Sequence, residues 1–305
     1  MKVGTTLLNF GPGASPESLA RSARLAEALG YHLVTISDHV ALTPDVQNHY
    51  PAPFYDPLIT LSWLAGDTCK VELGTSALVL PYRHPLNTAK MASNLDRLSN
   101  GRFILGVGVG WAEQEHKVLG VPFKQRGAVA DDYLGAIKAF WSSDVATYEG
   151  KFVSFRDIHT APRPVQSPHP PIWIGGSSEA ALRRAVRYGN AWHPLYVRID
   201  WLKDEGLPRL REIADREGKA VPALCPRIKL RLTESPLSDD KRVAGEGTLD
   251  QVRRDFELLQ SLGTDYVLLD SYTGAPEETR THERTWRMLA TIADKVLDLE
   301  HCALR

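Results

Sequence analysis

The sequence predicts an α/β protein of the (β/α)8 TIM-barrel class, a single domain over residues 1–305 with one inserted hairpin and arm at about 145–170. Three observations carry this. Apolar, β-branched runs alternate with helical patterns eight times along the chain. Runs such as FILGVGV and YVLLD lack the polar alternation of a one-sided sheet, as strands covered on both faces do. The length of 305 residues, with 43% hydrophobic and 24% charged, suits one barrel with a substantial core.

Each unit repeats the same grammar. Lys2 to Leu8 is a β-branched run, followed by the turn GPGASP and a helix from about Pro16 to Leu29. Ser15 suits the N-cap, Pro16 the first turn and Gly30 the C-terminal stop, while Leu19, Ala23 and Ala26 fall on one face. His32 to Ser37 is strand two, Pro57 to Cys69 a helix, Val71 to Leu80 strand three, and Leu86 to Ser99 a helix. Phe103 to Val109 is strand four, with helical pattern from Ala112 to Trp141. Pro171 to Gly175 is strand five, Glu179 to Tyr188 a helix, Ala191 to Tyr196 strand six, and Trp201 to Glu217 a helix. Pro226 to Thr233 is strand seven, Leu249 to Leu262 a helix, Tyr266 to Asp270 strand eight, and Arg284 to Leu299 the closing helix. The segment Val145 to Pro170 breaks this rhythm: a hairpin around Glu149-Gly150 and a proline-rich arm, placed to cover the barrel mouth or to mediate dimerisation.

Composition excludes several roles. Lys+Arg 36 against Asp+Glu 37 gives a net charge of −1, so no electrostatic case exists for nucleic acid or an anionic membrane as partner. No apolar signal core precedes the first strand, and no window approaches the roughly 18 apolar residues a membrane span needs, so the expected location is the cytoplasm. Cys69, Cys225 and Cys302 are isolated, and no HxH or HExxH pattern occurs, so neither a disulfide framework nor a metal site is expected.

In a barrel of this class the reactive residues sit just after the strands. Strand two ends in Ser37-Asp38-His39; His39 suits proton exchange near neutral pH and Asp38 the orientation of a ligand, or the pair caps and packs the turn. Gly106 to Trp111 brings bare backbone to the strand-four exit, where a flat ring fits without meeting Cβ atoms, although close barrel packing uses the same letters. The spacing is not that of a dinucleotide-binding GxGxxG loop. Gly175, Gly176, Ser177 and Ser178 precede a well-patterned helix, which is either a phosphate site or a serine N-cap followed by Glu179. The helix start near Gly247 is a second such position, with capping favoured. Tyr82, Arg83, His84, Trp192 and His193 reach the same rim, where Arg83 also suits a carboxylate partner and Trp192 the core.

These motifs, in this order, resemble the luciferase-like monooxygenase superfamily, and within it the oxidoreductases that use the 5-deazaflavin coenzyme F420. The matching runs are TISDHV, LGTSALVLPYRHPLNTAK, LDRLSNGRFILGVGVGWAEQE, LGVPFKQRG and APRPVQSPHPPIWIGGSSEAALRRAVRYGNAWHP, and the resemblance is strong over roughly residues 1 to 195 and weak over the remainder. The resemblance implies a homodimeric barrel holding F420, or alternatively FMN, at the strand C-ends. It assigns His39 as the acid/base residue and Asp38 as a cofactor contact. It makes Ser76–Ala77 a non-prolyl cis peptide behind the ring, sets Val109 and Gly110 along the ring, and puts the phosphate on Gly176, Ser177 and Ser178. The pattern departs at Trp111, where the deazaflavin-dependent sugar-phosphate dehydrogenases carry an acid; Glu113 and Glu115 lie only further along the helix. That favours a bulkier, more apolar substrate with Trp111 as a wall. The expected activity is hydride transfer between F420 and a small organic substrate. The alternatives are an FMN-dependent monooxygenase using O2 and a separate reductase, a non-catalytic flavin-binding protein, and a glycosidase built on Asp38 and Asp270.

Overall fold

A computed structural model describes residues 1–240 and 242–305 and has a mixed α/β fold around one curled parallel sheet. In chain order the strands are β1 (Lys2–Thr6), β2 (Leu33–Ile36), β3 (Glu72–Thr75), β4 (Leu78–Val79) and β5 (Phe103–Gly108). A hairpin of β6 (Val145–Glu149) and β7 (Ser154–His159) follows, then β8 (Ile172–Gly175), β9 (Ala191–His193), β10 (Ala223–Leu224) and β11 (Arg227–Lys229). After β12 (Arg231–Leu232) and β13 (Glu246–Gly247), β14 (Tyr266–Asp270) returns to the main sheet. Its order is β10-β9-β8-β5-β3-β2-β1-β14-β11, with β4 paired to β5.

The two ends of that order, β10 and β11, are separated in the chain by only Cys225 and Pro226. The segment is bonded on both sides: Cys225 and Arg227 N–H donate to the Trp192 and Pro194 carbonyls, each at 2.9 Å, and Leu268 N–H donates to the Pro226 carbonyl at 2.9 Å. Pro226 has no N–H to add to the ladder, and the expected strand seven, Pro226 to Thr233, is found as two short pieces, β11 and β12, separated at Leu230.

Other elements differ from the sequence expectation for similar local reasons. Strand three is interrupted at Ser76–Ala77, whose peptide is cis. The pattern from Ala112 to Trp141 is three pieces, Glu113–Val118, Phe123–Gln125 and Arg126–Ser142, because Gly120 takes a positive φ of 72° and Pro122 cannot continue a helix. Helical structure begins at Ile199 and passes through one wide turn at Leu202–Gly206 before Leu207–Glu217. Pro208 cannot donate to the carbonyl four residues back, and the wide turn absorbs that loss. Gly206 is required at this point, since a Cβ there would lie 2.9 Å from the Trp192 ring.

The inserted segment is a hairpin and arm, but neither part covers the strand C-ends. The hairpin lies along the helix Arg126–Ser142, whose Asp132 accepts from Phe152 N–H at 2.7 Å, Val153 N–H at 3.1 Å and the Tyr148 hydroxyl at 2.9 Å. The arm is fastened by buried Asp96, which accepts from Val165 N–H at 2.7 Å, Gln166 N–H at 3.0 Å and the Gln166 amide at 2.6 Å. That amide also donates to the Phe103 carbonyl at 2.7 Å, at the N-terminal end of β5. The expectation of a mouth cover is therefore corrected: proline spacing reveals an extended arm but not which end of the sheet it reaches. Among the described residues no helix is long and apolar enough to cross a membrane.

Asp96→Ala strands three donors beneath the arm and should lower the unfolding free energy by about 2–4 kcal/mol. Urea denaturation measures this; a change within experimental error would remove Asp96 as the fastening point.

Candidate active site

The C-terminal tips of neighbouring strands β2, β3, β5 and β8 form a continuous row. At the β2 end stands His39, buried, with Nδ1 2.6 Å from Glu115 Oε2. The Glu115 carboxylate is fully buried and also accepts from Val40 N–H at 2.6 Å, Ala41 N–H at 3.0 Å and the Tyr82 hydroxyl at 3.0 Å. A carboxylate facing Nδ1 assigns the proton to that nitrogen in the neutral ring and leaves Nε2 as the atom available for proton exchange. His39 thus has the buried orienting partner that general acid/base work requires.

In the sequence Glu115 counts only as an acid further along the helix than the position now held by Trp111. It lies in the first turn of Glu113–Val118, a helix that turns an acid and His116 inward while Val118 stays 65% exposed. Hydrophobic patterning points the other way, so the only available signal was the run of charge directly after the glycine-rich strand.

Along the row from His39 the surface loses its side chains. An added Cβ at Gly108 would lie 3.5 Å from the Ala77 Cβ, and one at Gly175 would lie 3.8 Å from the same atom and 3.3 Å from the Val107 carbonyl. Ala77, Gly108 and Gly175 therefore form a smooth floor that larger residues would fill. Gly110, at φ +76°, needs its missing Cβ too, because that atom would meet the His116 ring at 2.6 Å and Val79 at 2.7 Å. Val109, half-buried beside it, offers its carbonyl to His116 Nε2 at 3.1 Å.

At the far end of the row is the start of helix Glu179–Tyr188. Ser178 caps it, accepting from Ala181 N–H at 3.3 Å, and the Gly176 carbonyl accepts from Trp192 Nε1 at 2.8 Å. Ser177 is left lining an open cleft of about 560 Å³ with Tyr196, Arg198, Asp200, Trp201 and Glu205 among its walls. A flat ring on the floor and an anionic tail at the helix start both fit these residues. The second helix start is fully capped by the reciprocal Thr248–Gln251 pair.

The floor is braced from beneath. Arg227 donates to the Ser76 carbonyl at 2.5 Å and to Asp270 at 2.7 Å, and Asp270 also accepts from the Tyr196 hydroxyl and from Tyr272 N–H at 2.9 Å. Burial opposes the Asp270 charge, yet Arg227 and Lys229 beside it hold its carboxyl below the usual range. Burial lowers His193 to about 4, so it is neutral; its Nδ1–H donates to the Cys225 carbonyl at 2.5 Å and its Nε2 accepts from the Ser76 hydroxyl at 2.8 Å.

Asp38 has no exposed side-chain surface. Both oxygens are engaged, by Arg83 at 2.6 and 2.8 Å and by Val79 N–H at 2.9 Å, so its carboxylate orients the β4 backbone. With Asp38 and Asp270 both locked in ion pairs, the glycosidase reading lacks a free acid and is discarded. Arg83 also reaches Asp56 at 2.8 Å, His84 caps the helix Pro85–Leu98, and Trp192 is core.

A family model described as luciferase-like monooxygenase matches residues 1–236. The F420-dependent glucose-6-phosphate dehydrogenase of Kineococcus radiotolerans is 32% identical over 224 residues, 72% of this chain and 64% of the relative. The oxygenase component of the flavin-dependent trigonelline monooxygenase of Acinetobacter baylyi is 31% identical over 175 residues, 57% of this chain and 46% of that protein. The solved structure of monooxygenase RslO1 from Streptomyces bottropensis superposes with a TM-score of 0.78 at 23% identity, covering 99% of this chain and 100% of the other.

Burial opposes the Glu115 charge, but the hydrogen bond from His39 and the Ala41 and Val40 N–H groups hold the carboxyl below its ordinary value of 4.5. Its stabilising contribution is therefore complete above 4.5 and is lost as pH falls through the lowered folded value. Melting temperatures recorded from pH 7 downward should fall below that point, and Glu115→Gln should flatten the fall; parallel curves would refute the assignment.

Proposed function

The chain belongs to the luciferase-like monooxygenase family, and from that premise we propose that it is a flavin-type oxidoreductase transferring a hydride between coenzyme F420 and a small organic substrate. One observation carries the reading: the His39–Glu115 pair lies at one end of the bare floor of Ala77, Gly108 and Gly175, and the Ser177–Ser178 helix start at the other. Bound there, the ring would supply the hydride chemistry, and the protein binding, orientation and water exclusion.

Ser76, Ala77, Val109 and Gly110 would hold the ring, with Asp38 acting through Arg83 and the Val79 N–H. Gly176, Ser177 and the first free N–H groups of the helix would hold the phosphate. His39 Nε2 holds or accepts the proton that accompanies hydride movement, and Glu115 keeps the ring in the tautomer that leaves Nε2 free. We read the sheet as a (β/α)8 barrel closed through residues 223–229. We also propose a homodimer, supported by helix Pro57–Ala65, which leaves Ile59 68% and Trp63 46% exposed one turn apart.

A second reading, an FMN-dependent monooxygenase using O2 and a separate reductase, is favoured by the cleft beyond Ser177. Its charged walls are Asp200, Asp204 and Glu205 against Arg198. Arg198 is already bidentate to Asp200 at 3.0 and 2.5 Å. Glu205 is paired with Arg209 at 3.0 Å, which leaves Asp204 as the acid of this wall that the poly-glutamate tail of F420 would meet, whereas the charge of FMN ends at its phosphate.

Parallel absorbance titrations with F420 and FMN, oxidised and reduced, decide the cofactor. Asp204→Asn with Glu205→Gln should tighten F420 and leave FMN unchanged, an effect that added salt removes. Failure of both cofactors to bind would refute the proposal. With the bound cofactor, His39→Ala should lower kcat about 100-fold or more while its dissociation constant changes less than about threefold; unchanged kcat would remove His39 from the chemistry.

A further inference from the structure

We infer that the mouth above His39 is an aromatic chamber selecting a neutral, planar ring compound that carries a hydroxyl or N–H, and rejecting sugar phosphates. The inference rests on the reading of His39 as the proton-exchanging residue, and it names the substrate class of that site.

Five rings converge there from four different strand-end connections: Phe10 after β1, Tyr50 and Phe54 after β2, Trp111 after β5 and Tyr272 after β14. Phe10 is the hub, stacked on Phe54 at 5.3 Å and edge-on to Tyr50 at 5.1 Å and Tyr272 at 5.0 Å. Tyr50, Phe54 and Trp111 enclose His39, with ring centroids 5.2, 5.3 and 5.7 Å from the imidazole. Trp111 stays 45% exposed, edge-on to His39 and to His49, so a large indole faces solvent at the rim beside a buried proton-exchanging group. Aromatic walls favour planar apolar rings through stacked and edge-to-face contacts.

Charge argues the same way. A phosphate monoester needs a free cation, preferably bidentate. Arg83 is spent on Asp38 and Asp56, and Arg227 and Lys229 both face Asp270. Among the described residues around the chamber none of these three cations is left without a carboxylate.

One polar feature is specific. Asn9, next to Phe10 and fully buried, donates its amide to the Ser37 carbonyl at 3.0 Å and the Tyr55 carbonyl at 2.7 Å. Among the described residues no donor reaches its Oδ1. A buried acceptor of this kind is costly unless matched, and a substrate hydroxyl or N–H would match it.

The test uses 2-naphthol, naphthalene, naphthalene-2-sulfonate and glucose 6-phosphate as probes on the full chain, followed by tryptophan and naphthyl fluorescence, without cofactor and with whichever cofactor the titrations show to bind. The expected result is saturable binding of 2-naphthol, at least about tenfold weaker binding of the sulfonate, and no competition by glucose 6-phosphate. Trp111→Ala should weaken 2-naphthol about tenfold, and Trp111→Glu further, with unchanged circular dichroism. Asn9→Leu should cost naphthol more than naphthalene. Competition by glucose 6-phosphate, equal binding of the sulfonate, or unchanged affinity in both Trp111 variants would overturn the inference. Because probe binding is read without turnover, its failure is distinguishable from failure of the cofactor assignment, which the F420 and FMN titrations read separately.

Discussion

The buried carboxylate of Glu115 is the constraint on which the site depends. It accepts from the His39 imidazole, from the backbone of Val40 and Ala41, and from the Tyr82 hydroxyl. One side chain on the helix after β5 thereby fixes the tip of β2, the start of the long connection that carries Tyr50 and Phe54, and the segment after β4. A buried charge is tolerated only when its lone pairs are filled, and four donors fill them here. Losing any one of these loops would leave a buried charge short of a donor, so the His39–Glu115 geometry and the mouth architecture are coupled.

A second buried charge pair works from below. Arg227 and Asp270 lie on β11 and β14, neighbours at the place where the sheet curls back towards β9 and β10. Alone, such a pair gains little over a hydrophobic contact, because both ions give up water. Its value is directional: the remaining guanidinium nitrogen holds the Ser76 carbonyl, and neutral His193 holds the Ser76 hydroxyl. The floor is thus supported by groups whose protonation is settled by their surroundings.

These two networks divide the strand ends into regions of different character. Between them lies bare backbone suited to a flat ring; beyond Gly175 come a helix start and an acid-lined cleft; above His39 come aromatic rings. The chain is similar both to a dehydrogenase named for F420 and to a flavin-dependent oxygenase component. In the proposed reading the floor and the walls beyond it are separate parts, so the cofactor tail and the substrate would be chosen independently of the ring.

Much of this was legible in the sequence because it is encoded locally. Alternating apolar runs and helix caps such as Ser15 and Thr248 follow from periodicity and hydrogen bonding within a few residues. The glycines after β5 and β8 announced themselves because only glycine leaves backbone bare. What the sequence could not decide was which distant groups meet. Glu115 and His39 are 76 residues apart, and Arg227 and Ser76 are 151 apart. Asp38 read as a ligand contact, yet Arg83 across the strand ends consumes its carboxylate. The same limit hid the seat of the proline-rich arm and the gathering of Phe10, Tyr50, Phe54, Trp111 and Tyr272. Local propensity fixes elements and their order, whereas the pairing of buried charges and rings depends on the curl of the sheet, which brings strand ends together only once the whole chain has packed.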